Sequence, residues 1–220
     1  EKNIKNIIND FEKLNIIDEI IAVDNNSNDN TKPEIEKTSA KYFLEKKQGY
    51  GAALFKGLSM ATSDLLVMCE PDGTFRATDI FKLLSYQEDC DCVFGTRTSK
   101  SMIEVGAKMN FYLRYGNIIV AKLLEYLFGG PSITDVGCSF KAFKSKSIKK
   151  IIHKLTVKGS HFQPELMIRL IESNNKIIEI PIYYLKRKGY SKITYNFYSS
   201  LSVALNMIRV IIYNFFKKYF

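Results

Sequence analysis

The sequence predicts an α/β fold, a mostly parallel sheet covered by helices on both faces. Two observations support this. Short apolar runs alternate along the chain with segments whose apolar residues recur at helical spacing. Several runs also end in acidic or small polar residues, as buried strands do where they lead into loops. In such sheets ligands bind beyond the carboxyl ends of the strands.

The first third of the chain begins with a helical pattern. Its apolar positions are Ile4, Ile7, Ile8, Phe11 and Leu14. A strand, IDEIIAVD, follows, then a polar turn, a helix over 31–40 and a second strand, KYFLE. An α/β domain rarely begins on a helix when its next element is a buried strand. We therefore expect one strand to precede residue 1 in the complete protein.

The middle of the chain continues the alternation. It contains a glycine-led helix, GYGAALFKGLSMAT, then the strand DLLVMCE, the helix IFKLLSY and the strand CDCVFGTR. Thr78 or Asp79 is placed to cap the helix IFKLLSY. A long helix is expected over 105–128, followed by a loop and short strand, GGPSITDVGCSFKAF.

The last third contains the helix HFQPELMIRLIES and the strand KIIEIPIYYLKR, which leads into a basic loop. We predict one domain over 1–195 and an apolar, amphipathic helix over 196–220. Asn206 and Arg209 interrupt the apolar run of this tail, which is short for a clean membrane span. Its aromatic residues and terminal lysines favour a helix at a membrane surface, while a core helix is the alternative.

The composition and net charge limit the classes of partner that the protein is expected to bind. The 220 residues are 46% hydrophobic and carry a formal net charge of +9. The chain is therefore a folded domain that favours anionic partners such as nucleotide phosphates and acidic lipids. Nucleic acid is not expected, because no aromatic and basic platform or helix-turn-helix pattern is present. The 4 cysteines are expected to be buried free thiols in a reducing compartment, with a zinc site as the weaker alternative.

The main candidate for chemistry is the pair Glu70 and Asp72 at the end of a predicted strand. Residues two apart in an extended segment point the same way, so the two carboxylates converge. Two close carboxylates favour a bound cation, and hard oxygen ligands suit Mg²⁺ or Mn²⁺. A solvated turn is the alternative, since this spacing of acids is common.

Polar residues follow other strands too. Asp24 and Asn26 end the first predicted strand, where they suit hydrogen bonding to a base or ribose, or an ordinary turn. Gly49 and Gly51 open a helix, where they indicate either a phosphate loop or close backbone passage. Asp135 lies in a turn. It is a candidate to accept a proton from the acceptor, and the alternative is that it simply caps the turn.

Basic residues concentrate late in the chain and are candidates to bind phosphate. They are Arg97, Lys141, Arg187 and Lys192, with Ser191 beside the last. The loop KRKGYSK could close over a diphosphate, since arginine supplies a fork of donors and lysine a point charge. Solvated surface is the alternative for such a cluster.

Together, these segments resemble glycosyltransferase family 2. The segments are VDNNSNDNT, QGYGAALFKGLSMA, CEPDGTF, FGTR, TDVGCSFKAF, HFQPEL and EIPIYYLKRKGYSK, in family order over nearly all of 1–195. The resemblance is strongest to the branch that contains dolichol-phosphate mannose synthase and bacterial polyprenyl-phosphate glycosyltransferases. It implies the GT-A fold, a Rossmann-like sheet.

The resemblance also implies residue roles. Asp24 matches the acid that binds the nucleoside, and Glu70 with Asp72 matches the metal-binding acidic motif. Arg97 matches a family arginine and Asp135 an acid of the acceptor region. Two positions depart from the pattern, since Glu70 replaces an aspartate and Lys141 a usual arginine. The residues matching the family's basic loop are Arg187, Ser191 and Lys192.

The resulting expectation is a metal-dependent, inverting glycosyltransferase on the cytoplasmic side of a membrane, bound peripherally or anchored. Its donor would be a nucleotide-sugar and its acceptor a polyprenyl or dolichyl phosphate or a cell-surface glycan. A lipid phosphate needs little base assistance, whereas a sugar hydroxyl would use Asp135 as the base. The alternatives are a sugar-phosphate nucleotidyltransferase and a non-catalytic, membrane-associated scaffold of the same fold.

Overall fold

The computed structural model describes residues 3–188 and 197–219. The helices are α1 (Ile4–Glu12), α2 (Thr31–Ile35), α3 (Tyr50–Met60), α4 (Ile80–Leu84), α5 (Phe111–Phe128), α6 (Ser145–Ile151), α7 (Phe162–Glu172) and α8 (Phe197–Tyr219). The strands are β1 (Ile21–Asp24), β2 (Lys41–Leu44), β3 (Leu65–Met68), β4 (Cys92–Thr96), β5 (Lys141–Lys144) and β6 (Ile177–Pro181).

The main sheet has the strand order β3-β5-β4-β6. β5 is antiparallel to both β3 and β4, and β4 is parallel to β6. β3, β4 and β6 therefore point the same way, which confirms the mostly parallel sheet. β1 and β2 form a separate parallel pair. The expected strand before residue 1 stays a prediction.

Helices cover both faces of the main sheet. Along β4, Cys92 and Phe94 belong to one apolar cluster and Val93 to another, because successive side chains of a strand alternate between faces. The first cluster includes Leu124 of α5 and Leu166 of α7. The second cluster lies against α4 and α1 and is smaller.

The long central helix begins later than the predicted residue 105. Gly106 has a φ of +86°, a conformation that ends any regular helix there. Asn110 then caps α5, because its side-chain oxygen accepts a hydrogen bond from the Leu113 amide at 3.0 Å. Two other features differ from the prediction. α2 ends at Ile35 rather than near residue 40, and α6 was not predicted.

α8 packs on the domain through one face only. Met207, Ile211 and Asn214 are buried on that face, and the Asn214 side chain accepts a hydrogen bond from Arg169 of α7. The opposite face is exposed and mostly apolar, with Arg209 among its residues. Its large apolar residues are Tyr198, Leu201, Leu205, Ile212, Tyr213 and Phe216. By length and composition alone, Tyr198–Tyr219 could cross a membrane.

All four cysteines carry free thiols. Cys92 and Cys138 are buried and the other two are half-buried. Cys90 precedes β4, and it packs against a different apolar cluster from Cys92. Among the described residues no group of three or more His, Cys, Asp or Glu side chains is placed to hold a metal. The zinc alternative therefore has no support in 3–188 or 197–219.

Candidate active site

The two predicted acids lie in the turn after β3. Asp72 shapes this turn, since its Oδ1 accepts hydrogen bonds from the Thr74 amide at 2.9 Å and the Thr74 hydroxyl at 2.6 Å. Gly73 between them has a φ of +76°, which favours glycine. Asp72 and Thr74 thus fix the turn in a conformation that carries both carboxylates at the carboxyl edge of the sheet.

The two carboxylates influence each other. Burial raises the pKa of Glu70 above its ordinary value, and the negative charge of Asp72 raises it further. The Ser139 hydroxyl and the guanidinium groups of Arg97 and Arg187 act in the opposite direction. A partly buried pair of acids that repel each other is the arrangement that a cation stabilises. The effect of Asp72 on the pKa of Glu70 means that the two carboxylates lie near each other, and their role in holding a cation stays a prediction.

Arg187 also lies at the acidic turn, although it follows β6, the edge strand opposite β3 in the main sheet. After β6 the chain runs beside the acidic turn, with the Leu185 amide bonded to the Thr74 carbonyl and the Lys188 amide to the Asp72 carbonyl. This pairing places Nη2 of Arg187 2.6 Å from Oδ2 of Asp72. The predicted basic residue and the predicted acid are thus in direct contact. Ser191 and Lys192 lie outside the described residues.

Arg97, at the end of β4, is paired with Asp135. Its Nε lies 2.8 Å from Oδ2 and its Nη2 2.9 Å from Oδ1, and its backbone amide also donates to Oδ2. Burial tends to raise the pKa of Asp135, but the charge of Arg97, its hydrogen bonds and the charge of Lys141 together outweigh burial, so the pKa is lowered. An ionised acid that is fully committed to an arginine is poorly suited to accept a proton. The geometry speaks against Asp135 as a base.

Glu179, which sequence reasoning missed, supports the turn that carries Asp135. Its carboxylate accepts hydrogen bonds from the amides of Thr134 and Asp135 and from the Thr134 hydroxyl. Burial raises the pKa of Glu179, and these hydrogen bonds partly offset that effect. No local pattern identifies the residue, because it lies in the apolar run of β6.

Asp24 ends β1 as predicted and is buried. Its Oδ1 accepts from the Ser27 amide at 2.9 Å, and its Oδ2 from the Tyr42 hydroxyl at 3.1 Å. Asn26 beside it has a φ of +58°, as a turn residue does. The neighbouring Asn25 joins this loop to the next, since its side chain accepts from the Gly49 amide at 2.7 Å.

Two predicted binding residues do not face an open site. The Gly51 amide donates to the Gly159 carbonyl at 3.2 Å, and a Cβ at Gly51 would lie 2.7 Å from that of Phe162. Close backbone passage therefore explains this glycine. Lys141 is 0% exposed, and its Nζ donates to the Cys138 carbonyl and the Gln163 side chain. Burial lowers its pKa.

Sequence reasoning also missed Tyr50, which contacts Glu70, and Gln163, which contacts Tyr50. The Tyr50 hydroxyl lies 3.1 Å from Oε1 of Glu70, and Nε2 of Gln163 lies 2.9 Å from the Tyr50 hydroxyl. Tyr50 begins α3 and Gln163 lies in the first turn of α7. The glycines around Tyr50 were the available signal, because they permit the two helix starts to approach.

The residues present fit a divalent cation bound together with a phosphate-bearing ligand. Mg²⁺ is usually held by one or two carboxylates and completed by substrate phosphates and water. Glu70 and Asp72 supply two carboxylates at one strand end, and Arg187 supplies a cation for phosphate beside them. A larger protein cluster is not required for such a site.

Two cavities lie away from these acids. One of about 250 Å³ is mainly apolar and lies between α3 and α6, where Leu58 and Ile148 line it. Another of about 470 Å³ is lined by Glu12, Glu19 and Lys41. Neither of these two cavities includes Glu70, Asp72 or Arg187, whose side chains are half-buried.

Comparison with known proteins identifies the family of this chain. The profile of the family described as "Glycosyl transferase family 2" matches residues 1–152. The chain is 28% identical over 178 residues to a dolichyl-phosphate hexose transferase of Haloferax volcanii, covering 80% of this chain and 73% of that protein. It is 24% identical over 193 residues to an uncharacterized glycosyltransferase of Mycobacterium bovis, covering 87% of this chain and 85% of that one.

Solved structures share the fold. Glucosyl-3-phosphoglycerate synthase from Mycobacterium tuberculosis, in complex with Mn²⁺, UDP-glucose and phosphoglyceric acid, superposes with a TM-score of 0.71 at 15% identity, covering 97% of this chain and 75% of that one. Mannosyl-3-phosphoglycerate synthase from Rubrobacter xylanophilus has a TM-score of 0.70 at 15% identity, covering 99% and 71%. The family match covers most of the chain, and the fold is GT-A. The protein therefore belongs to glycosyltransferase family 2 and is a glycosyltransferase.

Proposed function

We propose that the protein transfers a hexose from a nucleoside-diphosphate sugar to a polyprenyl or dolichyl phosphate, with a divalent cation and with inversion at the anomeric carbon. The observation that carries this proposal is the meeting of Glu70, Asp72 and Arg187 at one strand end, with 2.6 Å between Asp72 and Arg187. The hexose transferase from Haloferax volcanii supports the acceptor class by its name.

In this mechanism each residue acts on the donor. Asp24 recognises the nucleoside, and Glu70 with Asp72 holds Mg²⁺ or Mn²⁺. The bound cation would neutralise charge on the donor's diphosphate. Arg187, together with Lys192 as assigned by sequence, stabilises the charge that develops on the departing nucleotide. Mn²⁺ and UDP-glucose occupy the glucosyl-3-phosphoglycerate synthase of similar fold, which supports a divalent cation here.

The state of Asp135 favours a phosphate acceptor over a glycan hydroxyl. A sugar hydroxyl needs a base to take its proton, whereas a lipid phosphate is already an anion. Asp135 was the sequence candidate for that base, but both of its oxygens are held by Arg97. Its role in this proposal is to position the Arg97 guanidinium next to the acidic turn.

α8 supports a position on a membrane surface. Its outward face is mostly apolar and aromatic, with Arg209 on it, while Lys217 and Lys218 lie at its end. Such a helix suits the interface between headgroups and acyl chains. Asn214 and Arg169 join the inner face of α8 to the domain, which favours a helix lying on the membrane over one that crosses it. We place the domain on the cytoplasmic side.

The decisive experiment is a transfer assay with the full-length protein. UDP- and GDP-hexoses are offered with polyprenyl phosphate or a glycan, with Mn²⁺ or with EDTA. We expect cation-dependent transfer to the lipid phosphate, and Asp72→Ala abolishes it. Asp64→Ala, which changes an exposed acid at the far end of β3, is the matched control.

Four outcomes contradict the proposal. Full activity of Asp72→Ala removes the acidic motif from the mechanism. Transfer to the glycan but not to the lipid phosphate overturns the acceptor class. A further arm supplies a sugar phosphate and a nucleoside triphosphate, and turnover there alone would indicate a nucleotidyltransferase. The absence of turnover and of cation-dependent nucleotide binding would indicate the scaffold.

The membrane position has its own test. Vesicles of zwitterionic and anionic lipid are floated with the protein and with Tyr213→Glu, a change on the outer face of α8. We expect the variant to lose flotation with the anionic vesicles. Phe81→Glu, on the exposed surface of α4, is the control and keeps it. Equal flotation of all three proteins contradicts the interfacial role.

A further inference from the structure

Lys141 is a buried residue to which the proposed transfer assigns no role. Its ammonium group is fully buried on β5, yet no carboxylate bonds to it among the described residues. A buried charge is costly unless its donors are satisfied. Here the donors go to the Cys138 carbonyl and to Oε1 of Gln163, the latter at 3.0 Å. The hydrogen bond to Gln163 is the first of a chain of three hydrogen bonds.

The chain runs from Lys141 to Glu70 in one direction. Lys141 donates to the Gln163 oxygen at 3.0 Å, and the Gln163 nitrogen donates to the Tyr50 hydroxyl at 2.9 Å. The Tyr50 hydroxyl then donates to Oε1 of Glu70 at 3.1 Å. Lysine has donors only, so it fixes which end of the Gln163 amide faces which partner. Hydrogen bonds arranged head to tail strengthen one another, especially where water is excluded.

The glycines at the start of α3 make the chain possible. The Gly51 amide bonds to the Gly159 carbonyl, and the Gly51 α-carbon has room for Phe162 only because it carries no side chain. This contact brings the start of α3 against the start of α7. Tyr50 and Gln163, which adjoin Gly51 and Phe162 in sequence, therefore lie within hydrogen-bonding distance.

We propose that Lys141, Gln163 and Tyr50 are positioning residues that fix the Glu70 carboxylate for the divalent cation. The inference rests on the proposed function, since it concerns the cation site of that reaction. Glutamate has one more rotatable bond than aspartate, so a cation site that uses it gains from an external contact that fixes its rotamer. Tyr50 supplies that contact on Oε1, and the buried lysine behind Gln163 holds Tyr50 in place.

The test is direct cation binding rather than turnover. Free Mn²⁺ is measured by electron paramagnetic resonance while MnCl₂ is titrated into the full-length protein with UDP or GDP. We expect Tyr50→Phe, which keeps the ring and loses the hydroxyl, to raise the Mn²⁺ dissociation constant about tenfold, the effect of one hydrogen bond to a charged group. Tyr126→Phe, on the exposed side of α5, is the control and leaves it unchanged.

A double-mutant cycle separates positioning from general loss of structure. Gln163→Met breaks the chain one link earlier at similar volume, so it should weaken Mn²⁺ binding as well. In the Tyr50→Phe background it should add little, because the link to Glu70 is already lost. In the transfer assay the Mn²⁺ concentration for half-maximal rate should rise, while the rate at saturating Mn²⁺ stays within about twofold.

The outcomes distinguish this inference from the proposed function. If the wild-type protein binds Mn²⁺ with a nucleotide and Tyr50→Phe binds it equally well, the inference is overturned and the function stands. Additive effects of the two substitutions also overturn it. If the wild-type protein binds no Mn²⁺ with either nucleotide, both fail. Should Tyr50→Phe not fold, as judged by circular dichroism, Gln163→Met decides the question alone.

Discussion

Arg97 and Asp135 form a bidentate ion pair, with 2.8 Å between Nε and Oδ2 and 2.9 Å between Nη2 and Oδ1. The carboxylate is fully buried and the guanidinium nearly so. The Gly137 amide also donates to Asp135 Oδ1, at 3.1 Å. The pair connects the end of β4 to the turn before β5. It therefore holds together two of the segments that surround the acidic turn.

Asp135→Ala should destabilise the fold strongly. It leaves the Arg97 charge partly buried without its partner, and removing one member of a buried pair costs about 3–5 kcal/mol. The free energy of unfolding from urea titration measures the loss. Asp10→Ala breaks the exposed pair with Lys13 and should cost less than about 1 kcal/mol. Similar values for the two variants would contradict the role given to Asp135.

The stabilisation by Asp135 should depend on pH in a defined direction. Its pKa in the folded state lies below the ordinary value of 3.8, because the charge and hydrogen bonds of Arg97, with the charge of Lys141, together outweigh burial. Such a group stabilises the fold above its unfolded pKa and loses this effect as the pH falls through the folded pKa. The difference in unfolding free energy between wild type and Asp135→Asn is therefore largest near neutral pH and shrinks below about pH 4. A difference independent of pH would refute this account.

Gly51→Ala should reduce stability. The new Cβ would lie 2.7 Å from the Cβ of Phe162 and 2.8 Å from the Val157 carbonyl oxygen, neither of which is a flexible side-chain end. Overpacking of this kind costs about 1–3 kcal/mol. Gly116→Ala is the matched control, since nothing lies within 4 Å of its added Cβ on α5. It should stabilise the helix by up to about 1 kcal/mol. In thermal unfolding, the midpoint temperature should fall for Gly51→Ala and rise for Gly116→Ala.

Arg187→Ala should weaken donor binding. The side chain lies against Asp72, where the donor's diphosphate is proposed to bind, and an arginine fork matches phosphate oxygens. The KM for the nucleotide-sugar is expected to rise about tenfold, the effect of one charge-assisted contact. Lys186→Ala removes an exposed cation next to it in sequence and should change KM less than about twofold. Equal effects would point to net charge instead of a specific contact.

Features that depend on residues close together in the sequence could be predicted. Glu70 and Asp72 follow β3 as expected, because alternation and a proline turn are readable within a few residues. Asp24 likewise ends β1. The late start of α5 was missed, since the apolar run around Val105 is periodic although Gly106 adopts a conformation that a helix excludes.

The features that escaped prediction depend on pairs far apart in the chain. Tyr50 meets Gln163 across a separation of 113 residues, and Glu179 meets Thr134 across 45. Asp135 was recognised as a functional acid, but its ionisation depends chiefly on its pairing with Arg97, which follows β4. Tertiary packing alone decides such contacts, so spacing in the sequence does not reveal them.

The way α8 is attached decides how a shortened protein should be interpreted. Met207 and Ile211 fill the main apolar cluster, and Asn214 satisfies Arg169. Cutting the chain before this helix would expose part of that cluster to water and remove one hydrogen-bond partner of Arg169, which also pairs with Glu172. An inactive truncated form would therefore report a damaged domain rather than a lost lipid anchor. Substitutions confined to the outward residues of the helix avoid that ambiguity.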